Sequence, residues 1–235
     1  MASSSRGTTA TTDVRNQAAY TLAEGSRYLK VPTATLRSWA VGRAYPTTQG
    51  ARRFVPLLRL AGKQPPLLSF WNLVEAHVLR SFRTDHGVSL KALRTALDFA
   101  ERELTIPRLL LRKELCADAG QLFLERYGEL ISLSASGQLA MRRIFEAHLK
   151  RVEWDEWKFP VRLYPFLSAD LPTEFKPIAI DPGISFGRPV VARLGISTAV
   201  LAERMDAGET IEYMAADYGL SVPEIEQAVM YERTA

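Results

Sequence analysis

Residues 21–42 read TLAEGSRYLKVPTATLRSWAVG, and the punctuation of this stretch decides the fold. Thr21 and Glu24 are spaced as a capping box, in which each side chain satisfies the other residue's free backbone N–H at a helix start. Leu22, Ala23, Tyr28 and Leu29 then form an apolar face, with Arg27 and Lys30 outside it. Val31-Pro32 ends that helix, and Pro32 is suited to opening the next one. A second helix is predicted over about Thr33–Val41, with Leu36, Trp39 and Ala40 turned inward. Thr33 and Arg37, four apart, share its outward face, with Thr35 and Ser38 beside them. Two short helices joined this tightly make a helix-turn-helix. Its second helix carries the chemistry a major groove accepts, since Arg can bridge guanine and hydroxyls can bond bases or phosphates.

Working outward, Gly42-Arg43 leads to a turn-rich stretch, Tyr45–Gly50, and then to Ala51-Arg52-Arg53-Phe54-Val55. This is read as a β-wing in which Arg52 and Arg53 straddle a strand and reach phosphates. Leu57–Leu60, the turn Gly62–Pro66 and Leu67-Leu68 are expected to complete its hairpin. Ser69 then caps a helix to about Asp85, closed by Gly87, and Ser89 caps another with Leu90, Leu93, Leu97 and Leu104 inward, stopped at Pro107. The strings Tyr20-Thr21-Leu22, Val31-Pro32, Thr35-Leu36-Arg37-Ser38-Trp39, Gly50-Ala51-Arg52-Arg53-Phe54 and Gly87–Arg94 together resemble the MerR-type winged helix-turn-helix over roughly residues 20–98. The resemblance implies DNA binding through Arg27, Thr33, Thr35, Arg37, Ser38, Arg43, Arg52 and Arg53. The stretch from Pro46 to Pro66 is longer than that family's wing.

In the middle, Leu109–Leu115, Gln121–Glu125 and Leu130–Leu133 are short strand candidates, separated by turns at Asp118-Ala119-Gly120 and Tyr127-Gly128. Ser136 is read as capping a helix to about Trp154 that buries Leu139, Phe145, Leu149 and Val152, and Val161–Tyr164 as one more strand. Asp170–Thr173 reads as a linker. Catalytic chemistry finds no constellation here. His77, His86 and His148 share no metal-ligand spacing with one another or with Cys116, and His77 on an apolar helix is read as a structural histidine. Cys116, the only cysteine, excludes an intramolecular disulfide and a thiolate metal cluster, and it is expected to be buried. Trp154 and Trp157, bracketing Asp155-Glu156, are read as core, with an interface as the alternative. No catalytic residue, metal or cofactor is expected. No stretch reaches membrane-spanning length and Met1–Thr12 lacks a signal peptide's apolar run, so the expectation is a cytoplasmic protein with a frayed N-terminus.

The C-terminal stretch repeats the helix-turn-helix theme with the opposite charge. Ile178–Ile180 and Gly187–Val191 are read as extended pieces around an Asp181-Pro182-Gly183 turn. Three helices follow, about Thr198–Ala207, Thr210–Tyr218 and Pro223–Glu232, the last opened by a Ser221/Glu224 capping box. Val200, Leu201, Met205, Ile211, Met214, Ala215, Ile225, Ala228 and Val229 supply its core. Residues 176–235 hold five Lys/Arg against nine Asp/Glu, a net of −4, whereas residues 1–75 hold ten against Asp13, Glu24 and Glu75, a net of +7. An acidic recognition helix would be repelled by a phosphate backbone, so this end is read as meeting protein and the basic end as meeting DNA.

Ile180-Asp181-Pro182, Gly187–Val190, Ala207–Ile211, Asp217–Ser221 and Glu224–Ala228 resemble, in order, a small trihelical domain of unknown function that is common among antitoxins. The resemblance spans about residues 176–232. With the winged unit ahead of it, the chain resembles a large VapB-type antitoxin. One departure is Ala192-Arg193-Leu194-Gly195-Ile196, where the family carries Gly-Thr-Arg-Ile. The resemblance implies a PIN-type ribonuclease toxin and operator DNA as partners, with autorepression by a homodimer. Arg188, Arg193, Arg204 and Arg233 are the candidate toxin or dimer contacts, and the alternative for Arg188 is an internal pair with Asp181 or Asp217. The competing class is a MerR-like regulator sensing a small molecule in a pocket between residues 108–134 and the 137–154 helix. The expected fold is α+β and mainly α: a disordered tail over 1–19, a winged helix-turn-helix over 20–68, a middle α+β region with a small antiparallel sheet over 69–166, a linker over 167–176 and a trihelical domain over 177–235.

Overall fold

A computed structural model describes residues 13–47, 50–84, 90–132, 134–165 and 176–234. The fold is mainly helical with small antiparallel sheets. Strand β1 (Tyr20–Thr21) leads into α1 (Leu22–Leu29), whose start carries the expected capping box: the Thr21 hydroxyl accepts from the Glu24 amide at 3.1 Å, and the Glu24 carboxylate accepts from the Thr21 amide at 2.8 Å. Pro32 is the N-cap of α2 (Thr33–Val41), which buries Leu36, Trp39 and Ala40 as predicted.

The wing differs from its expected outline. β2 (Arg43–Thr47) and β3 (Gly50–Phe54) pair with each other alone, in register from Arg43 opposite Phe54 to Thr47 opposite Gly50. The second hairpin, β4 (Gly62–Lys63) with β5 (Pro66–Leu68), pairs instead with β1, Tyr20 lying opposite Leu68. The hairpin therefore closes within residues 43–54, while Leu67 and Leu68 bring the chain back under α1.

Ser69 caps α3 (Phe70–Arg80), accepting from the Asn72 amide, and a 3-10 turn over Ser81–Thr84 follows. The expected stops and caps at Asp85, Gly87 and Ser89 lie outside the described residues. α4 (Leu90–Leu104) then packs along α5 (Asp118–Leu130).

The strands expected over 109–133 are absent from the described residues. Leu109–Leu111 and Lys113–Cys116 are 3-10 turns, and α5 runs through the stretch read as a turn, a strand and a second turn. The residues that bury there, Ala119, Phe123 and Tyr127, recur every four positions, which is a helical period. Gly120 sits inside the helix because a Cβ there would lie 2.0 Å from the Leu115 carbonyl oxygen. Cys116 lies exposed at the end of its 3-10 turn, contrary to the burial expected of it.

α6 (Ala135–Leu149) starts two residues earlier than expected, with Ser134 rather than Ser136 as its N-cap, and stops five residues sooner than Trp154. Val152–Trp154 forms β6, paired with β7 (Pro160–Leu163). Leu139 and Trp157, both assigned to the core, are exposed. The linker expected at 170–173 lies outside the described residues. Residues 13–19, expected to belong to a disordered tail, contain a 3-10 turn over Val14–Asn16. Arg15 bonds Asp13 and Asp155 there, with its guanidinium over the stacked rings of Trp71 and Phe159.

The C-terminal unit carries β8 (Ile178–Ala179), β9 (Val190–Val191) and β10 (Ile196–Ser197) in one antiparallel sheet, followed by α7 (Thr198–Asp206), α8 (Ile211–Tyr218) and α9 (Val222–Arg233). Its core is built from Leu201, Met214, Ile225, Ala228, Val229 and Tyr231, but Val200 faces outward. A separate, larger core runs without a break from Tyr20 through α1–α6 to Leu163 and takes in Ile180. Among the described residues, no helix is long and apolar enough to cross a membrane.

Candidate nucleic-acid interface

The exposed side of α2 is held by groups behind it. The last two carbonyls of α1 each find a donor: Arg80 of α3 donates to the Leu29 oxygen at 2.9 Å, and the Tyr231 hydroxyl of α9 to the Tyr28 oxygen at 2.8 Å. Lys30, in the left-handed conformation that ends α1, donates its ammonium to the Tyr231 carbonyl and lies over that ring. Burial there pushes the Lys30 ammonium down to about 8. The turn of the helix-turn-helix is thus fixed by α3 and by the last helix of the chain.

On the outward face, Arg37 is exposed and, among the described residues, makes no ion pair or hydrogen bond. Thr33 is exposed, its hydroxyl sharing a 2.9 Å hydrogen bond with Ser26, and Thr35 is half-buried beside it. Ser38 does not join this face, since its hydroxyl is buried. Arg43 and Arg53 stand exposed on the wing, and one nitrogen of Arg53 donates to the Val41 carbonyl at 2.9 Å, tying the hairpin to the end of α2. Arg52 lies opposite Tyr45 in the register of the hairpin, and its side chain lies outside the described residues. Arg27 is turned elsewhere: its guanidinium lies over Tyr28 and lines a cleft of about 310 Å³ shared with Arg188, Pro189, Val200 and Glu232.

The four arginines singled out at the acidic end divide sharply. Arg193 grips Glu224 through two nitrogens, at 3.0 and 3.1 Å, and donates to the Gly219 carbonyl. Arg204 bonds Glu209 and Asp217, and Arg233 bonds Asp206. Arg188 is exposed and, among the described residues, unpaired: Asp181 is taken by Arg162 and Asp217 by Arg204. Sequence reasoning passed over Lys30, Tyr231 and Phe186; the first two were invisible because nothing local tells that positions 30 and 231 meet. Among the described residues no three His, Cys, Asp or Glu side chains converge as a metal-binding set.

A Mycobacterium tuberculosis protein named "Putative antitoxin VapB45" is 31% identical over 229 residues, covering 89% of this chain and 92% of its own. The chain belongs to the VapB45 family. "Uncharacterized protein Rv2308" of the same organism is 27% identical, covering 94% of this VapB45-family chain and 93% of its own length. The crystal structure of Rv2018 from Mycobacterium tuberculosis superposes with a TM-score of 0.64 at 28% identity, across 90% of the chain and 97% of that structure. Residues 18–97 match the family described as "Putative DNA-binding HTH domain", which spans α1, α2, the wing and the start of α4. Residues 178–231 match a family described as a protein of unknown function, DUF433, which covers the sheet β8–β10 and helices α7–α9.

Proposed function

We propose that this protein is an antitoxin and autorepressor, acting without catalysis: its winged helix-turn-helix binds its own operator as a homodimer, and its C-terminal unit takes part in capturing a PIN-type ribonuclease. The single observation that carries the DNA half is the arrangement of Arg37 with Arg43 and Arg53. An unpaired arginine on the exposed face of a second helix stands beside a hairpin tied to that helix's end. That geometry suits a base contact flanked by phosphate contacts. The relative's antitoxin name supports the other half.

The competing reading, a ligand-responsive regulator, requires a pocket between α5 and α6. The cleft there, lined by Leu115, Gly120, Leu124, Arg142 and Phe145, holds about 210 Å³. That is below the roughly 300 Å³ at which small-molecule pockets begin. The test is co-expression with the product of the neighbouring reading frame, joined to a mobility-shift titration on the DNA upstream of the gene. The reading expects a PIN-type protein that copurifies and loses its toxicity, and a salt-sensitive complex with the upstream DNA. Toxicity that persists in co-expressing cells, or equal affinity for unrelated DNA, overturns it.

A further inference from the structure

Phe186 is the most exposed large apolar residue described, at 93%. It stands where the backbone resists a side chain. Ser185, Phe186 and Gly187 have φ of 49°, 55° and 75° in succession, and left-handed backbone is sterically disfavoured at the two that carry a Cβ. The loop is nevertheless pinned. The Gly187 amide donates to the Ile184 carbonyl at 2.9 Å and the Arg188 amide to the Ser185 carbonyl at 3.1 Å. Asp181 at the loop's base is held by Arg162. Gly187 lies so close to the winged unit that a Cβ there would come within 2.0 Å of the Tyr20 hydroxyl. The ring is therefore presented on a fixed hook, and it packs on almost nothing in the protein that carries it.

Arg188 completes the hook. It is the one arginine of residues 176–235 with no partner among the described residues, while Arg193, Arg204 and Arg233 each hold a carboxylate. Aromatic rings and arginines are the side chains that anchor protein interfaces, and an anchor already fixed in place loses little entropy on docking. We infer that the Ser185–Arg188 hook is the anchor through which this protein holds its toxin, Phe186 filling an apolar pocket of that protein and Arg188 pairing with a carboxylate at the pocket's rim. The inference rests on the antitoxin reading above. The cation offered is local, Arg188 itself: the cleft beside it is lined by Arg27 and by three carboxylates, Glu24, Glu203 and Glu232, of which Glu24 accepts from the Thr21 hydroxyl and Glu232 from the Thr198 hydroxyl.

The test compares the full-length protein with Phe186→Ala, Arg188→Ala and Arg188→Lys, each titrated calorimetrically against the purified PIN-type product of the neighbouring frame. Thermal unfolding and sedimentation of each variant alone accompany the titrations. Because the ring is exposed, Phe186→Ala should leave the melting temperature unchanged or raise it, yet weaken binding by about thirty-fold or more, the loss expected of an interface anchor. Arg188→Ala should weaken binding as well, and Arg188→Lys should restore part of it, since lysine keeps the charge but not the planar fork. Binding by the wild type that neither alanine variant weakens overturns the hook and leaves the antitoxin reading standing. A wild type that does not bind overturns that reading and the hook together. A wild-type dimer that Phe186→Ala converts to monomer, with toxin affinity retained, assigns the hook to a second copy of the chain and overturns the inference.

Discussion

Replacing Tyr231 by phenylalanine should expose how far the helix-turn-helix depends on the last helix of the chain. Tyr231 is 1% exposed, and its hydroxyl supplies the donor for the Tyr28 carbonyl at 2.8 Å. That carbonyl is one of the four that a helix end leaves without an intrahelical partner, and the residue bearing it is itself buried. Phenylalanine keeps the ring, its packing and the Lys30 cation above it, so the substitution isolates one polar contact. Leaving a buried acceptor without its donor costs about 1–3 kcal/mol, more than the net value of an ordinary hydrogen bond. In a chain of this size each kcal/mol moves the melting temperature by about 2–4 °C, so the expected fall is roughly 2–12 °C. Calorimetry and urea unfolding would measure it, with the denaturant slope unchanged if only the native state is affected. The control is Tyr213→Phe, whose side chain is largely exposed and should be silent. A Tyr231→Phe loss below about 0.5 kcal/mol, the scatter of ordinary surface substitutions, would refute the claim that α9 closes the end of α1.

Arg37→Ala should cost about 1–3 kcal/mol on the operator and little on random DNA, measured by competition binding. Arg43→Ala should instead weaken all sequences alike and flatten the plot of log affinity against log salt by about one unit of slope. Glu224 is held down to about 2 by the Arg193 fork and then by Ser221, against burial that acts the other way. Its contribution is complete above the ordinary carboxylate value of 4.5 and drains away as pH falls towards 2, so Glu224→Gln should flatten acid unfolding across that window. Burial keeps the neighbouring rings of His77 and His148 neutral, His148 down to about 4. The unfolded chain binds those protons first, so urea midpoints should fall between about pH 6.5 and 4, and a midpoint that stays level across that range would contradict their burial.

What the sequence made legible is what local chemistry dictates. The Thr21/Glu24 and Ser221/Glu224 boxes and the Val31-Pro32 stop are decided within four residues, and α1, α2 and α9 begin where those signals place them. Strand partners are decided by distant chain, which is why Gly62–Leu68 reads locally as part of the wing although its partner is Tyr20-Thr21. Glycine misled in α5 for a related reason: a turn former and a residue admitted by close packing look alike until the packing is known. Among the site residues, helical spacing placed Arg37 and Thr33 correctly on one face. It could not show that the Ser38 hydroxyl is covered, or that Arg27 faces the C-terminal unit. The four acidic-end arginines were equivalent by composition, and only tertiary pairing separated Arg188 from the rest.

That separation alters what the charge asymmetry means. A net of −4 over residues 176–235 suggests a surface that repels anything acidic, yet Asp181, Asp206, Glu209, Asp217 and Glu224 are each spent on an arginine. Exposed pairs of this kind add little stability, but a carboxylate already paired contributes little field beyond its partner. The surface charge a partner meets is therefore set by the groups left over, and near Tyr20 and α1 those are Arg188 and Arg27 interleaved with Glu203 and Glu232. The basic and acidic units touch at that place, through Gly187 against Tyr20 and Tyr231 against Tyr28. A protein bound to the hook would thus sit against the back of the helix-turn-helix, while the face carrying Thr33 and Arg37 stays open to DNA. Simultaneous occupation of both faces is consequently the arrangement this geometry permits, and a ternary complex of operator, antitoxin and toxin should form. Its absence in a supershift assay, with each binary complex present, would mean that the two faces compete.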